Sequence, residues 1–226
     1  MINPDKELVQ YCNRHTTEES EILKELVKKT ESELQYSDMI CGPQVGELLK
    51  LLIRVSGSKR VLEIGTFTGY SALMMADALP VGGELITLEL NECYKSISEQ
   101  FFSRDPYCKI IKQVMGDAVE TIDSMKGKFD LIFIDADKAL YPEYYQKSKP
   151  KLKAGGIIIV DNVLWSGEIL HPDDPKSAAI DRLNEMIRSD PDMQNVMLPV
   201  RDGVLIARYQ PGSKARPAHE STGRFV

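Results

Sequence analysis

Phe129-Asp-Leu-Ile-Phe-Ile-Asp-Ala-Asp-Lys138 is an apolar, β-prone run that stops at two carboxylates and a lysine. Such a run reads as a buried parallel strand delivering polar groups to its carboxyl end. Gly156-Ile-Ile-Ile-Val160 repeats the pattern and ends in Asp161-Asn162. Neighbouring strands lie ~4.8 Å apart, so adjacency would bring three oxygen ligands to one point. Asp135, Asp161 and Asn162 then form a candidate hard-cation site with Lys138 beside it. Each also has a local explanation, with Asp135 and Asp137 capping a following helix and Asp161-Asn162 making a turn. Their joint placement at two strand ends favours the cation.

Working outward, strand and helix patterns alternate. Strands are expected over 60–64, 84–88, 109–113, 129–134 and 156–160, with helices over 44–55, 70–79, 91–102, 118–124, 141–151 and 175–189. Two closing runs, 196–200 and 204–209, flank Arg201-Asp202-Gly203, an Asp-Gly hairpin signal. The class is α/β: a doubly wound, Rossmann-like, mainly parallel seven-stranded sheet with a C-terminal antiparallel hairpin. Ahead of it, Ile22, Leu23, Leu26, Val27 and Leu34 mark an amphipathic helix, preceded by a shorter one ending near Arg14-His15. This arm reads as a cover for one side of the sheet, or else as a lid or dimer contact. One domain is expected over 1–210, with a helical arm 1–57 and an α/β core 58–210. The polar tail 211–226 is expected to be disordered.

The 226 residues carry a formal charge of -6, which argues against non-specific nucleic-acid binding. No apolar run approaches the ~20 residues of a membrane span, and the first residues lack a signal-peptide pattern. Cys12, Cys41, Cys93 and Cys108 are scattered without a CxxC pair, so free thiols and a cytoplasmic location are expected rather than a zinc site.

Val61-Leu-Glu-Ile-Gly-Thr-Phe-Thr-Gly-Tyr-Ser71 reads as a strand, a glycine turn and a helix start. Gly65 and Gly69 are not in the GxGxxG spacing that cradles a dinucleotide pyrophosphate. Glu89, at the end of the second strand, stands where an acid accepts from ribose hydroxyls. Turn and acid together suggest an adenosine-containing ligand whose carboxylate, not a phosphate, meets the helix start near Ser71.

Glu63-Ile-Gly-Thr-Phe-Thr-Gly-Tyr-Ser71, Ile134-Asp-Ala-Asp-Lys138 and Asp161-Asn-Val-Leu-Trp165 resemble the motifs of the cation-dependent, S-adenosylmethionine-dependent O-methyltransferases, a group that includes catechol and caffeoyl-CoA O-methyltransferases. The likeness runs from Glu18 through Met39, Gly42 and Gly46 to Asp202-Gly203 and the last strand. It implies that Glu63, Gly65, Thr66 and Ser71 line the methionine end of the cofactor, with Glu89 on the ribose and Ala118 near the adenine. Met39 and Cys41 match the segment over the sulfonium, although relatives often carry Thr, Ser or Val at the second position. Asp135, Asp161 and Asn162 fall on the metal ligands, Asp135 also on the cofactor side, Lys138 on the general base and Trp165 on an aromatic substrate contact. Trp165 alone would equally suit packing. The arm resembles that of dimeric members. A transfer-RNA hydroxyuridine O-methyltransferase and a nicotinamide-dependent oxidoreductase are the alternatives.

The chemistry explains the residue types. A phenol with a pKa of about 10 is a scarce nucleophile at neutral pH. Mg²⁺, or another divalent ion such as Ca²⁺ or Mn²⁺, favours the phenolate and orients two vicinal oxygens. Lys138 lies close enough to such an ion to take the proton, and Asn162 close enough to touch the substrate.

Overall fold

Short apolar runs, almost continuously buried in the central strands, dictate the architecture. The computed structural model of the protein describes residues 6–212. Helices α1 (Lys6–Arg14), α2 (Glu21–Glu33) and α3 (Gly42–Ser56) precede the core. The core runs β1 (Arg60–Ile64), α4 (Tyr70–Ala78), β2 (Glu84–Glu89), α5 (Glu92–Arg104), β3 (Ile111–Met115), α6 (Ala118–Ser124), β4 (Phe129–Ile134), α7 (Tyr141–Ser148) and β5 (Leu152–Asp161). Helix α8 (Pro175–Ser189) and strands β6 (Met193–Leu198) and β7 (Val204–Tyr209) close it. The strands form one sheet in the order β3-β2-β1-β4-β5-β7-β6, parallel through β5, with β7 antiparallel to both β5 and β6.

Strand parity divides the core. Val61, Leu131, Phe133 and Ile159 pack with the inner faces of α2 to α5, while Leu62, Ile64, Ile132, Ile134, Ile158 and Val160 pack with Tyr141, Tyr145, Ile180 and Leu183 on the other side. At ~25 cal/mol per Å² of buried apolar surface, these two layers dominate the stability of the fold.

Several boundaries differ from the sequence reading. The fifth strand begins at Leu152, four residues earlier than expected, because Leu152 pairs with Phe129 before a register shift. The third strand starts at Ile111, because Cys108–Ile110 is a 3-10 turn and the ladder pairs Leu85 with Ile111 and Glu89 with Met115. The helix expected to reach 151 ends at Ser148, and a 3-10 turn containing Pro150 follows. The sixth strand covers 193–198 because Pro199 offers no N–H to a ladder. The hairpin is therefore closed by the five residues 199–203, not by a two-residue Asp-Gly turn. Of the expected tail, residues 213–226 lie outside the described residues.

The arm is a cover. Leu23, Leu26 and Thr30 of α2 are buried, and Thr30 Oγ1 donates to Thr68 Oγ1 at 3.1 Å, bracing the turn after β1. Tyr70 OH donates to Glu19 Oε1 at 2.6 Å and ties the arm to α4.

Candidate active site

Register aligns the strand ends. Ile64 lies opposite both Leu88 and Ile134, and Ile134 lies opposite Val160. The next residues, Glu89, Gly65, Asp135 and Asp161, therefore form one row along the carboxyl edge. That row spans the reversal of strand order between β1 and β4, where open α/β sheets bind ligands. A cavity of about 1180 Å³ opens over it. Met39, Cys41, Gly65, Thr66, Ser71, Glu89, Ala118, Asp135, Lys138, Asp161, Asn162 and Trp165 all line this cavity.

Glu63 is the exception among the expected site residues. It is fully buried one layer behind the wall, where Ser71 Oγ donates to one oxygen and Thr87 Oγ1 to the other at 2.6 Å. Burial pushes its pKa up to about 8 despite both hydroxyls. Its route to the cavity in this form is through Ser71.

The glycine turn is shaped by close approach. Gly65 has φ 100, and a Cβ there would stand 2.0 Å from the Asp135 carbonyl oxygen. Only glycine lets the turn press against the end of β4. The Phe67 amide, at φ 50, donates to Glu89 Oε2 at 2.7 Å, and the Asn91 amide donates to Glu89 Oε1 at 2.8 Å. Both oxygens are thereby fixed, and each keeps acceptor capacity for a ligand hydroxyl. Phe67 and Tyr94 meet edge to face at 4.8 Å beside Leu90, which is 70% exposed. Sequence reasoning missed all three as cavity residues. Their only signal was aromatic and apolar side chains flanking the strand-end acid.

On the other side of the switch, Asp161 is 1% exposed. Its Oδ1 accepts from the Asn162 amide at 2.8 Å, while its Oδ2 is buried with no hydrogen-bond partner. Tyr141 OH donates to the Asp161 carbonyl at 3.0 Å. Burial, followed by the negative charge of Asp135, pushes the Asp161 carboxyl up to about 7. Lys138 Nζ donates to Asp135 Oδ1 at 2.7 Å and lies 4.9 Å from the centre of the Tyr141 ring. Asp137 accepts from the Ala139 amide, so the helix-capping explanation holds for Asp137. Asp135 is spent on Lys138 instead.

Two carboxylates side by side, one with an unpartnered buried oxygen, form a costly arrangement that a cation would relieve. Carboxylate and amide oxygens suit a hard ion that keeps open positions, Mg²⁺ in preference to Zn²⁺. Among the described residues, no group of three or more His, Cys, Asp or Glu is placed to hold a metal ion. Asn162, at φ 56, and oxygens from outside the protein would have to complete the shell.

The remaining wall comes from the loop after β5. Trp165, Ser166 and Gly167 all have positive φ. The Ser166 amide donates to Asp202 Oδ1 at 2.5 Å and the Leu164 amide to the Asp202 carbonyl at 2.9 Å, so the β6–β7 connection fixes this loop. Asp202 is thus more than a turn former. Cys41, 4% exposed, faces the acidic pair; burial and then the charges of Asp161 and Asp135 raise its pKa well above the usual thiol range.

Residues 13–210 match the family model described as O-methyltransferase. Tricin synthase 2 of Oryza sativa subsp. japonica is 32% identical over 84% of this chain and 70% of its own length. Caffeoyl-CoA O-methyltransferase of Stellaria longipes is 32% identical over 84% of each chain. Among solved structures, the S-adenosylhomocysteine-bound methyltransferase PaMTH1 of Podospora anserina has a TM-score of 0.85 at 28% identity, covering 93% of this chain and 99% of that one. The O-methyltransferase TomG of Streptomyces achromogenes, in complex with S-adenosylmethionine, has a TM-score of 0.84 at 27% identity, covering 93% of this chain and all of the other. These findings remove the nicotinamide-dependent alternative. The chain belongs to the O-methyltransferase family and is an S-adenosylmethionine-dependent O-methyltransferase.

Proposed function

We propose that this enzyme is divalent-cation-dependent and moves the methyl group to one hydroxyl of a catechol-type small molecule, a free catechol or a caffeoyl thioester. The observation that carries this reading is the Asp135–Asp161 pair, with its unpartnered buried oxygen, in the same cavity as Gly65 and Glu89. Asp135, Asp161 and Asn162 would hold the ion. When bound, it supplies positive charge that favours a phenolate and a template for two vicinal oxygens. Glu89 would hold the ribose hydroxyls, while Ser71 and the turn at Gly65 and Thr66 meet the methionine end. Met39 and Cys41 cover the sulfonium, Ala118 flanks the adenine and Trp165 flanks the acceptor ring.

Lys138 would take the hydroxyl proton on Nζ. The freed oxygen then attacks the methyl carbon, the carbon–sulfur bond breaks, and its electron pair stays on sulfur as the thioether. Lys138 must first release an ammonium proton to solvent and give up its bond to Asp135, a carboxylate the cation also claims, so that Nζ has a lone pair free to accept. Holding donor and acceptor in line supplies much of the remaining acceleration. Leu51 and Val55 on α3, 57% and 85% exposed, support a homodimer in which this face is covered. Four described cysteines, all free, fit a cytoplasmic enzyme.

Methyl transfer to catechols, caffeoyl-CoA and transfer RNA, each with chelator and after restoring Mg²⁺, tests the reading. Chelator-sensitive transfer to a catechol supports it. Full activity in chelator, or transfer to RNA alone, would overturn it.

A further inference from the structure

Arg201 sits at φ 50, in the left-handed region, within the five residues that join β6 to β7. Arginine has no short polar side chain to stabilise that conformation locally, as Asn and Asp do. Such an outlier persists when something else holds it. Here the side chain leaves its turn and crosses to the opposite rim of the cavity. Nη1 donates to the Ile40 carbonyl at 2.7 Å, and Nη2 points to the Asp38 carbonyl at 3.4 Å. The guanidinium lies along Gly42, where an added Cβ would stand 3.8 Å from Cζ. Residues 38 to 41 all line the cavity, and Arg201 reaches them across 161 to 163 positions of sequence. The planar fork of arginine can serve two carbonyls at once, whereas a lysine ammonium cannot copy it.

We infer that Arg201 is a positioning residue, a latch fastening the 38–41 rim to the β6–β7 connection so that the rim is preformed over the methyl donor. The same connection, through Asp202, holds the loop that carries Trp165. One five-residue segment therefore couples the rim assigned to the donor with the wall assigned to the acceptor. The inference rests on the proposed seat of the donor beneath Met39 and Cys41.

The test uses the full chain with R201G and R201K. Glycine adopts φ 50 without strain, so R201G should melt at or above the wild-type temperature. Its affinity for S-adenosylhomocysteine, measured by calorimetry, should nevertheless fall roughly tenfold, the size of one charge-assisted hydrogen bond. Amide exchange at residues 38–42 of the unliganded protein should quicken in both variants. An arginine that merely supports the fold would instead lower melting temperature and affinity together. Wild-type exchange at 38–42 in either variant, or wild-type affinity in R201G, overturns the latch. Failure of the wild type to bind S-adenosylhomocysteine would refute the seat of the donor, while the exchange measurement would still decide the latch.

Discussion

Asp161 joins two demands that pull in opposite directions. Its Oδ2 meets no donor in the folded chain, and burial beside Asp135 raises its pKa from 3.8 to about 7. In the unliganded protein such a group costs stability once the unfolded chain ionises, above the ordinary pKa, and the full cost is present above pH 7. Asp161→Asn keeps the shape and removes the charge. It should stabilise the unliganded protein at pH 8 by on the order of 1–2 kcal/mol, read from urea unfolding. The same change should cut methyl transfer by roughly 10²-fold or more and abolish its response to Mg²⁺. A variant that is destabilised and still chelator-sensitive would show Asp161 to be structural. Lys138→Met tests the neighbouring role, with turnover expected to fall roughly 10²–10⁴-fold. Binding of S-adenosylhomocysteine should stay near the wild-type value, and unchanged turnover would remove Lys138 from proton transfer.

Among the elements, the turn between β1 and α4 is the least tolerant. Gly65→Ala asks an L-residue to adopt φ 100 and drives a methyl group into the Asp135 carbonyl at 2.0 Å. The strand end carrying the acidic row must then move, so unfolding free energy should drop by about 3 kcal/mol, read from denaturant melts. A drop below about 0.5 kcal/mol, within the usual range for surface substitutions, would show that the turn relaxes freely. This element also shows how far the sequence alone could reach. The glycines, Glu89 and the Asp135 and Asp161 strand ends were legible because each is the first polar or special residue after a buried apolar run. Their alignment was not legible, because it depends on register, which no local pattern states. The depth of Glu63 and the reach of Arg201 were hidden for the same reason. Glu63 shares strand parity with Val61 and so faces α4, while Arg201 finds its partners 161 and 163 positions away. The larger boundary slips came where a 3-10 turn, a proline or a register shift interrupted an otherwise regular pattern, at Cys108–Ile110, Pro150, Pro199 and the start of β5 at Leu152.

Across the whole molecule, buried and paired acids shape the dependence of stability on pH. Asp77, Asp130 and Asp190 are held below their ordinary values. Burial works against each, but lysine partners outweigh it, with Tyr145 helping at Asp190 and main-chain amides at Asp130. Their stabilisation is present above pH 3.8 and is lost as pH falls through their lowered values. Glu63 acts in the opposite sense, because its pKa rises from 4.5 to about 8. Between those values the folded chain holds a proton that the unfolded chain has released, so stability falls as pH rises. Asp161 adds the same trend up to about pH 7. The unliganded protein should therefore be most stable at about pH 4, just above the ordinary carboxylate values, and lose on the order of 2–4 kcal/mol by pH 8. Glu63→Gln keeps the shape of the side chain and removes the ionisation, with one of the two hydroxyls turning to accept from the new amide. Urea unfolding at a series of pH values should then show a shallower decline between pH 5 and 8 in that variant than in the wild type. Equal slopes would mean that Glu63 ionises in the folded chain as readily as in the unfolded one, stabilised by a partner beyond its two hydroxyls.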